Sequence, residues 1–279
     1  MHQAEASGSL RAIPSAVAGS LLRVPPLSPV AAKLFTLNQD ADMRGIAALI
    51  AADPVLSALV LRLVNSPLFG VRHPVTGVLQ AVALLGLERV RSLATTAALR
   101  MLVSPALASP ALKRCWRHSV ASALATQEMA ERTGFDRDSA YTAGLLHDIG
   151  CFAMLSCWPR EYSRLLTACH PADLLEREGA SLGVSHTDAG AFLLQSWGLP
   201  SQLVAVARQH HCSPRERQAS LVELVSCGCL LADAIGFALT AALPDDHASD
   251  DTLSCLGSDR DAFWFRVCDG INQLECLSL

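Results

Sequence analysis

Aromatic side chains are scarce in this chain: Phe, Trp and Tyr make up 5% of the 279 residues, although 51% of the residues are hydrophobic. Ala and Leu dominate the apolar set, and small or unbranched apolar residues suit closely packed helices more than sheets. Excess positive charge is also missing. The net charge is −4 and the isoelectric point is near 6.1, so nothing draws the chain as a whole to nucleic acid or to an anionic membrane. No apolar segment reaches the ~20 uninterrupted residues of a membrane-spanning helix; Ser92 to Val103, for example, is broken by Arg100. None of the ten cysteines (115, 151, 157, 169, 212, 227, 229, 255, 268 and 276) belongs to a C-x-x-C pair, which removes the zinc-ribbon and thioredoxin spacings. Most lie in apolar helical runs, where a free thiol behaves as a small hydrophobe. Ser15 to Val24 is mildly apolar but has no basic leader before it, so reduced thiols and a cytoplasmic location are expected. No strand-like alternation competes with the helical patterns, and no repeat of 20–50 residues is evident. The expected class is all-α, a multi-helix bundle.

The chain divides into four stretches. Residues 1–23 read as a mobile leading tail, 24–105 as a first helical half, 106–240 as a second, and 241–279 as an acidic loop followed by a terminal helix. Local chemistry marks several helix starts. Ser28-Pro29 and Asp53-Pro54 each pair an N-cap with a proline at the first helical position. Thr76 is expected to cap the helix of residues 77–85, and Ser185 the helix that runs to Trp197. The two prolines in residues 104–110 are the best internal boundary. The helix–turn–helix shape available to residues 42–64 offers only Arg62 on its second helix, so nucleic-acid binding is not expected.

The most informative stretch is Ala143-Gly-Leu-Leu-His147-Asp148-Ile-Gly150. Tyr141 to Leu146 reads as a buried helix, with Gly150 just past its end. Asp148 then sits in or beside the last turn, where its charge opposes the helix dipole at a cost of roughly 0.3–1 kcal/mol, and burial adds to that. A bound cation is one compensating group; a cap on a neighbouring helix, with His147 as a hydrogen-bonded core residue, is the alternative. Further ligand-type residues recur in the second half: His118, His186, the pair His210-His211 and Asp233, the last within an apolar run. Four helix-borne positions converging in a bundle can hold one or two divalent ions, and imidazole with carboxylate suits Fe, Mn, Zn or Ni. Each residue also has an ordinary reading: a surface histidine beside Trp116, a helix-terminal histidine, a hydrogen-bonded buried aspartate. Lys113, Arg114 and Arg117, one turn from His118, are candidates for binding an anion, or else a solvated helix face.

The order His118, His147-Asp148, Asp233 resembles the H…HD…D pattern of the HD-superfamily metal-dependent phosphohydrolases. Around it, Gly179-x6-His186-x3-Gly190-x3-Leu194-x2-Trp197-x-Leu199-Pro200 resembles the narrower HDOD (HD-related output domain) family, as do Leu27-Ser-Pro29, Ile50-x2-Asp53-Pro54, Leu61-x-Leu63-x-Asn65-Ser66, Phe69-Gly70 and Ala81-x2-Leu84-Leu85-Gly86 in the first half. The likeness covers residues 24–240. It implies an all-helical domain of two packed halves, used in bacterial signalling as an output or scaffold element. It also implies a metal site at His118, His147, Asp148, His186, His210, His211 and Asp233. The chain departs from the related cyclic-di-GMP phosphodiesterases: Cys212-Ser213-Pro214 follows His211 in place of an acidic residue and a G-Y-P signature, and Cys151 stands where a lysine is common. These departures favour a regulatory module acting through protein or small-ligand contacts, with the metal site retained. The alternative is a metal-dependent phosphohydrolase or phosphodiesterase, with Asp148 as its candidate catalytic residue. A signalling protein is the expected partner. Phe263-Trp264-Phe265 near the end is either a docking helix or aromatic core.

Overall fold

The structure is a computed structural model and describes residues 13–36, 42–66, 69–103, 109–211, 220–241 and 260–275. Every regular element among them is helical. The proline-rich boundary at 104–108, residues 1–12 of the leading tail and the acidic stretch 244–251 lie outside the described residues.

In the first half side-chain caps start α2 (Pro29–Thr36), α3 (Met43–Ala51) and α4 (Pro54–Val64), those of α2 and α4 being the predicted ones. Ser28 Oγ accepts from Ala31 N at 3.1 Å. Asp42 caps α3 through Gly45 N at 2.6 Å. Asp53 Oδ1 accepts from Val55 and Leu56 N, both at 3.0 Å. Thr76 does not cap α5 (Val78–Leu85). Gly77 holds the N-cap position without a side-chain bond, while the Thr76 N–H donates to Gln80 Oε1 at 3.3 Å. Gly86 then separates α5 from α6 (Leu87–Val103) with φ 84 and ψ 157, a conformation open essentially to glycine alone. Leu34, Ile46, Ile50, Leu56, Val60, Val82 and Val90 fill the interior of this half.

Ser15–Leu21, expected within the mobile tail, is instead a helix, α1. Its last residue, Leu21, is buried, and the Ser20 carbonyl accepts from Cys157 Sγ at 3.3 Å. One apolar anchor and one tertiary bond fix a segment too weakly amphipathic to announce itself.

The second half is organised around α7 (Pro110–Thr133). It starts directly after Ser109, whose Oγ accepts from Leu112 N at 3.1 Å. Its buried face carries Ser119, Ala121, Ser122, Ala123, Ala125 and Thr126. Such small side chains admit close backbones: a Cβ at Gly144 of α8 (Arg137–Leu146) would lie 2.8 Å from Ala123 Cα, and one at Gly228 of α14 (Leu221–Ala234) 2.2 Å from Thr126 Oγ1. Between these come α9 (Ile149–Cys157), α10 (Pro159–Ala168), α11 (Leu174–Leu182), α12 (His186–Ser196) and α13 (Ser201–Gln209). The terminal helix α15 (Arg260–Glu275) lies on α7 and buries Phe263, Val267 and Ile271, while Trp264 and Phe265 stay exposed. The aromatic triplet therefore splits, one ring in the core and two in solvent.

The two halves share one continuous core. The ion pair Arg91 Nη1–Asp138 Oδ2, 2.8 Å long, ties α6 to α8 with only 6% and 15% of the two side chains exposed. No single helix among the described residues is long and apolar enough to cross a membrane.

Candidate metal centre

His147 and Asp148 occupy the junction of two helices with no loop between them. His147 is the C-cap of α8, and Asp148, at φ −101 and ψ 22, is the N-cap residue of α9. Gly150 is consequently not past a helix end, as its spacing predicts, but inside α9. Its role is contact: a Cβ there would lie 1.9 Å from His186 O and 2.7 Å from Gly190 N. The bare backbones of α9 and α12 touch at this glycine pair, which brings His186 beside Asp148. Ser185 caps α12 as predicted, accepting from Asp188 N at 3.1 Å. His118 comes from the middle of α7, while His210 and His211 follow the last turn of α13.

Six of the predicted residues converge. His118 Nε2 lies 3.3 Å from His147 Nε2 and 3.5 Å from Asp148 Oδ2, and His147 Nε2 lies 3.4 Å from the same oxygen. On the other side of the carboxylate, Oδ1 lies 3.2 Å from His210 Nε2 and 3.5 Å from His186 Nε2, which is 3.1 Å from His211 Nε2. His118, His147, Asp148, His186 and His210 are all buried, and only His211 reaches the surface.

The opposite edges of the rings explain why so many Nε2 atoms face one another. His147 Nδ1–H donates to Gly144 O at 2.6 Å, His118 Nδ1–H to Phe237 O at 2.8 Å, and His210 Nδ1–H to Ala207 O at 3.1 Å. His186 Nδ1–H donates to the buried Glu178 at 2.8 Å, and the same carboxylate accepts the His186 backbone N–H at 2.8 Å and Tyr162 OH at 2.6 Å. A proton fixed on Nδ1 leaves a lone pair on Nε2, the arrangement by which outer partners orient metal-binding histidines. While the rings are neutral, the lone pairs and both Asp148 oxygens meet with no proton between them. Neither Asp148 oxygen nor His210 Nε2 has a hydrogen-bond partner, and a buried unpaired carboxylate costs several kcal/mol.

A cation resolves the conflict. Metal–nitrogen and metal–oxygen bonds of about 2.0–2.1 Å at tetrahedral angles put neighbouring ligand atoms about 3.4 Å apart, and the separations around Asp148 are 3.2–3.5 Å. The donor set fits a metal ion. The same field acts on protons. Burial drives the His147 imidazole down to about 3 despite Asp148. Burial also opposes ionisation of Asp148, but His147 and the other imidazoles outweigh it and hold the carboxyl well below its usual range. At His118 and His186 burial is again outweighed, by Cys229 and Asp233 in the first case and by Glu178 in the second, and both are raised.

Asp233 is placed differently from the other predicted ligands. Its Oδ1 lies 3.3 Å from His118 Nδ1, the ring edge facing away from the cluster, and it belongs to neither group of converging ligand atoms. The cationic trio also stays outside. Lys113 is exposed, Arg114 Nη2 donates to Thr167 Oγ1 at 3.5 Å, and the Arg117 guanidinium lies over the Phe237 ring at 5.1 Å. None lines the small opening beside the cluster, a cavity of about 20 Å³ walled by His118, Asp148, Leu174, His211, Cys229 and Asp233 among others.

Two residues of the centre escape a reading by residue type. Glu178 sits in a charged run with Glu176 and Arg177 that looks like a solvated face, yet it is fully buried. Cys229 looks like apolar filling, yet its Sγ is 3.4 Å from His118 Nε2. Its spacing of four from Asp233 was the available signal, since that places both on one side of α14.

Comparison with known proteins agrees with this architecture. An uncharacterized protein from Treponema pallidum (strain Nichols) is 29% identical over 184 residues, which cover 63% of this chain; the chain matches only 35% of that relative's length. An HDOD domain protein of unknown function from Geobacter sulfurreducens superposes with a TM-score of 0.73 at 24% identity, covering 94% of this chain and 97% of that one. A Shewanella amazonensis SB2B protein, described as a candidate phosphohydrolase, gives a TM-score of 0.67 at 24% identity, covering 94% and 98%. These likenesses show the fold. The model of the HDOD domain matches residues 24–213, more than half of the sequence, taking in the first helical half and the second as far as the end of α13, and the chain belongs to the HDOD domain family.

Proposed function

We propose that the chain is a signalling module of HDOD type, acting in the cytoplasm through contacts with another signalling protein, and that a divalent transition metal braces its second half. The observation that carries this reading is the closure of the site. The cavity beside the cluster holds about 20 Å³, room for about one water, and none of Lys113, Arg114 and Arg117 lines it to receive a phosphate. His118, His147 and Asp148 Oδ2 would hold an ion on one side of the carboxylate; Asp148 Oδ1, His186, His210 and His211 would do so on the other. The ion, Fe, Mn, Zn or Ni by ligand type, supplies the positive charge that Asp148 otherwise lacks. The protein's own contribution is to cross-link α7, the α8–α9 junction, α12 and the end of α13 at one point.

The test is elemental analysis of the purified protein, with turnover of bis-p-nitrophenyl phosphate and cyclic dinucleotides measured after loading with Mn or Fe under reducing conditions. The expected result is bound transition metal and no turnover above that of the His147→Ala, Asp148→Ala double variant. Protein without affinity for any of these metals overturns the brace, and turnover lost in the double variant overturns the non-catalytic role. One observation favours the second reading, a phosphohydrolase: the ligands form two groups on either side of one carboxylate, the layout two-metal hydrolases use to hold both oxygens of a displacement.

A further inference from the structure

We propose that Cys229 is a thiolate ligand of the ion held by His118, His147 and Asp148. The inference rests on the metal-centre reading and gives one side of that centre its chemistry.

Cys229 and Asp233, one turn apart on α14, reach opposite edges of the His118 ring. Asp233 Oδ1 lies 3.3 Å from Nδ1, on the edge that also donates to Phe237 O. Cys229 Sγ lies 3.4 Å from Nε2, the edge that faces His147 and Asp148. With the His118 Nδ1 proton held by Phe237 O, α14 supplies a soft donor on the lone-pair side of the ring.

The distances suit coordination. A metal–sulfur bond of about 2.3 Å and a metal–nitrogen bond of about 2.0–2.1 Å at a tetrahedral angle put sulfur about 3.6 Å from nitrogen. The observed separation is 3.4 Å, and the three separations among His118 Nε2, His147 Nε2 and Asp148 Oδ2 are 3.3, 3.4 and 3.5 Å. Four edges of one tetrahedron are therefore present. Gly228 makes this approach possible, since a side chain there would meet Thr126 Oγ1 at 2.2 Å and hold α14 off α7. Independently, Asp148 Oδ2 is buried and unpartnered at the same point. On binding, the thiol gives its proton to solvent and the sulfur lone pair goes to the metal. A thiolate favours Zn and Fe(II) over the harder Mn and Mg, which narrows the set of ions on this side of Asp148.

The experiment is titration of reduced, chelator-treated full-length protein with Co(II), followed by its near-ultraviolet spectrum. A thiolate-to-cobalt charge-transfer band is expected in the wild type. It should vanish in Cys229→Ser while Co(II) still binds. Cobalt binding with no such band, or a band that survives Cys229→Ser, overturns the proposal and leaves the metal centre standing. No cobalt binding by the wild type overturns the metal centre itself. Should the serine variant not fold, X-ray absorption of the wild-type cobalt protein decides, with a sulfur neighbour at about 2.3 Å for the proposal and a shell of nitrogen and oxygen alone against it.

Discussion

Replacing Gly150 with alanine is the sharpest perturbation of this architecture, because one methyl group falls between two backbones. The new Cβ would sit 1.9 Å from His186 O, 2.8 Å from His186 C and 2.7 Å from Gly190 N. No side-chain rotation relieves contacts with main-chain atoms, so α9 and α12 must part by upwards of ~1 Å. Overpacking of this kind costs about 1–3 kcal/mol, and the rigidity of both obstacles puts Gly150→Ala at the upper end. For a chain of this size each kcal/mol moves Tm by about 2–4 °C, so the expected drop is about 6–12 °C. The same displacement lengthens the 3.5 Å separation of Asp148 Oδ1 and His186 Nε2, and metal affinity should fall roughly tenfold or more. The control is Gly179→Ala in α11, where nothing lies within 4 Å of the new carbon; removing an exposed helical glycine should stabilise by about 0.5–1 kcal/mol. Calorimetry and Co(II) titration of both variants check the pair. A Gly150→Ala protein that melts and binds like the wild type would refute the claim that this glycine seats His186 against Asp148.

Three further outcomes are expected. Exhaustive chelation should lower Tm, and an excess of metal of about 1,000 times Kd should restore about 4 kcal/mol; a Tm indifferent to both treatments would remove the ion from the stability of the fold. In chelated protein, stability should fall as pH drops from about 6.5 toward 4, at up to about 1.4 kcal/mol per pH unit for each histidine that the fold keeps neutral. Two are kept so: burial lowers His147 to about 3 and holds His211 well below its ordinary value, so the unfolded chain takes up these protons first, whereas His118 and His186 are raised by the fold. Urea titrations across that range should show a shallower slope for His147→Gln, and an unchanged slope would contradict the assignment. Arg91→Met should cost about 3–5 kcal/mol by leaving Asp138 buried without its cation, and Arg91→Met with Asp138→Leu should recover most of it; a double variant no better than the single one would mean that the pair is not what couples α6 to α8.

The parts of the fold legible in the sequence were those decided within a few residues. Caps at Ser28, Asp53 and Ser185 were readable because an N-cap accepts from its own first turn. Thr76 had the right residue type, yet its neighbour Gly77 begins the helix. The ligand-type residues were readable as an ordered set, since five histidines and an aspartate leave few ways to be arranged in a helical bundle. What they do was less so. Gly150 looks like a helix terminator until α12 is laid against it. Linear order does not say that Asp233 faces the Nδ1 edge of the His118 ring and the others its Nε2 edge. Cys229 and Glu178 were hidden by adequate ordinary readings, as an apolar helix and a charged face, and only the packing of α14 on α7 and of α11 under α12 turns them inward.

The closure of the centre also bears on time. Apart from His211, the residues around Asp148 are nearly sealed, and the space beside them among the described residues is about 20 Å³. An ion seated there leaves only when the helices around it open, so its exchange is tied to the opening rate of the protein rather than to the free metal outside. The chain would then carry a record of the metal available when it folded. Preparations refolded with zinc and with ferrous iron should remain distinct for hours in the same buffer, although both obey the same equilibrium.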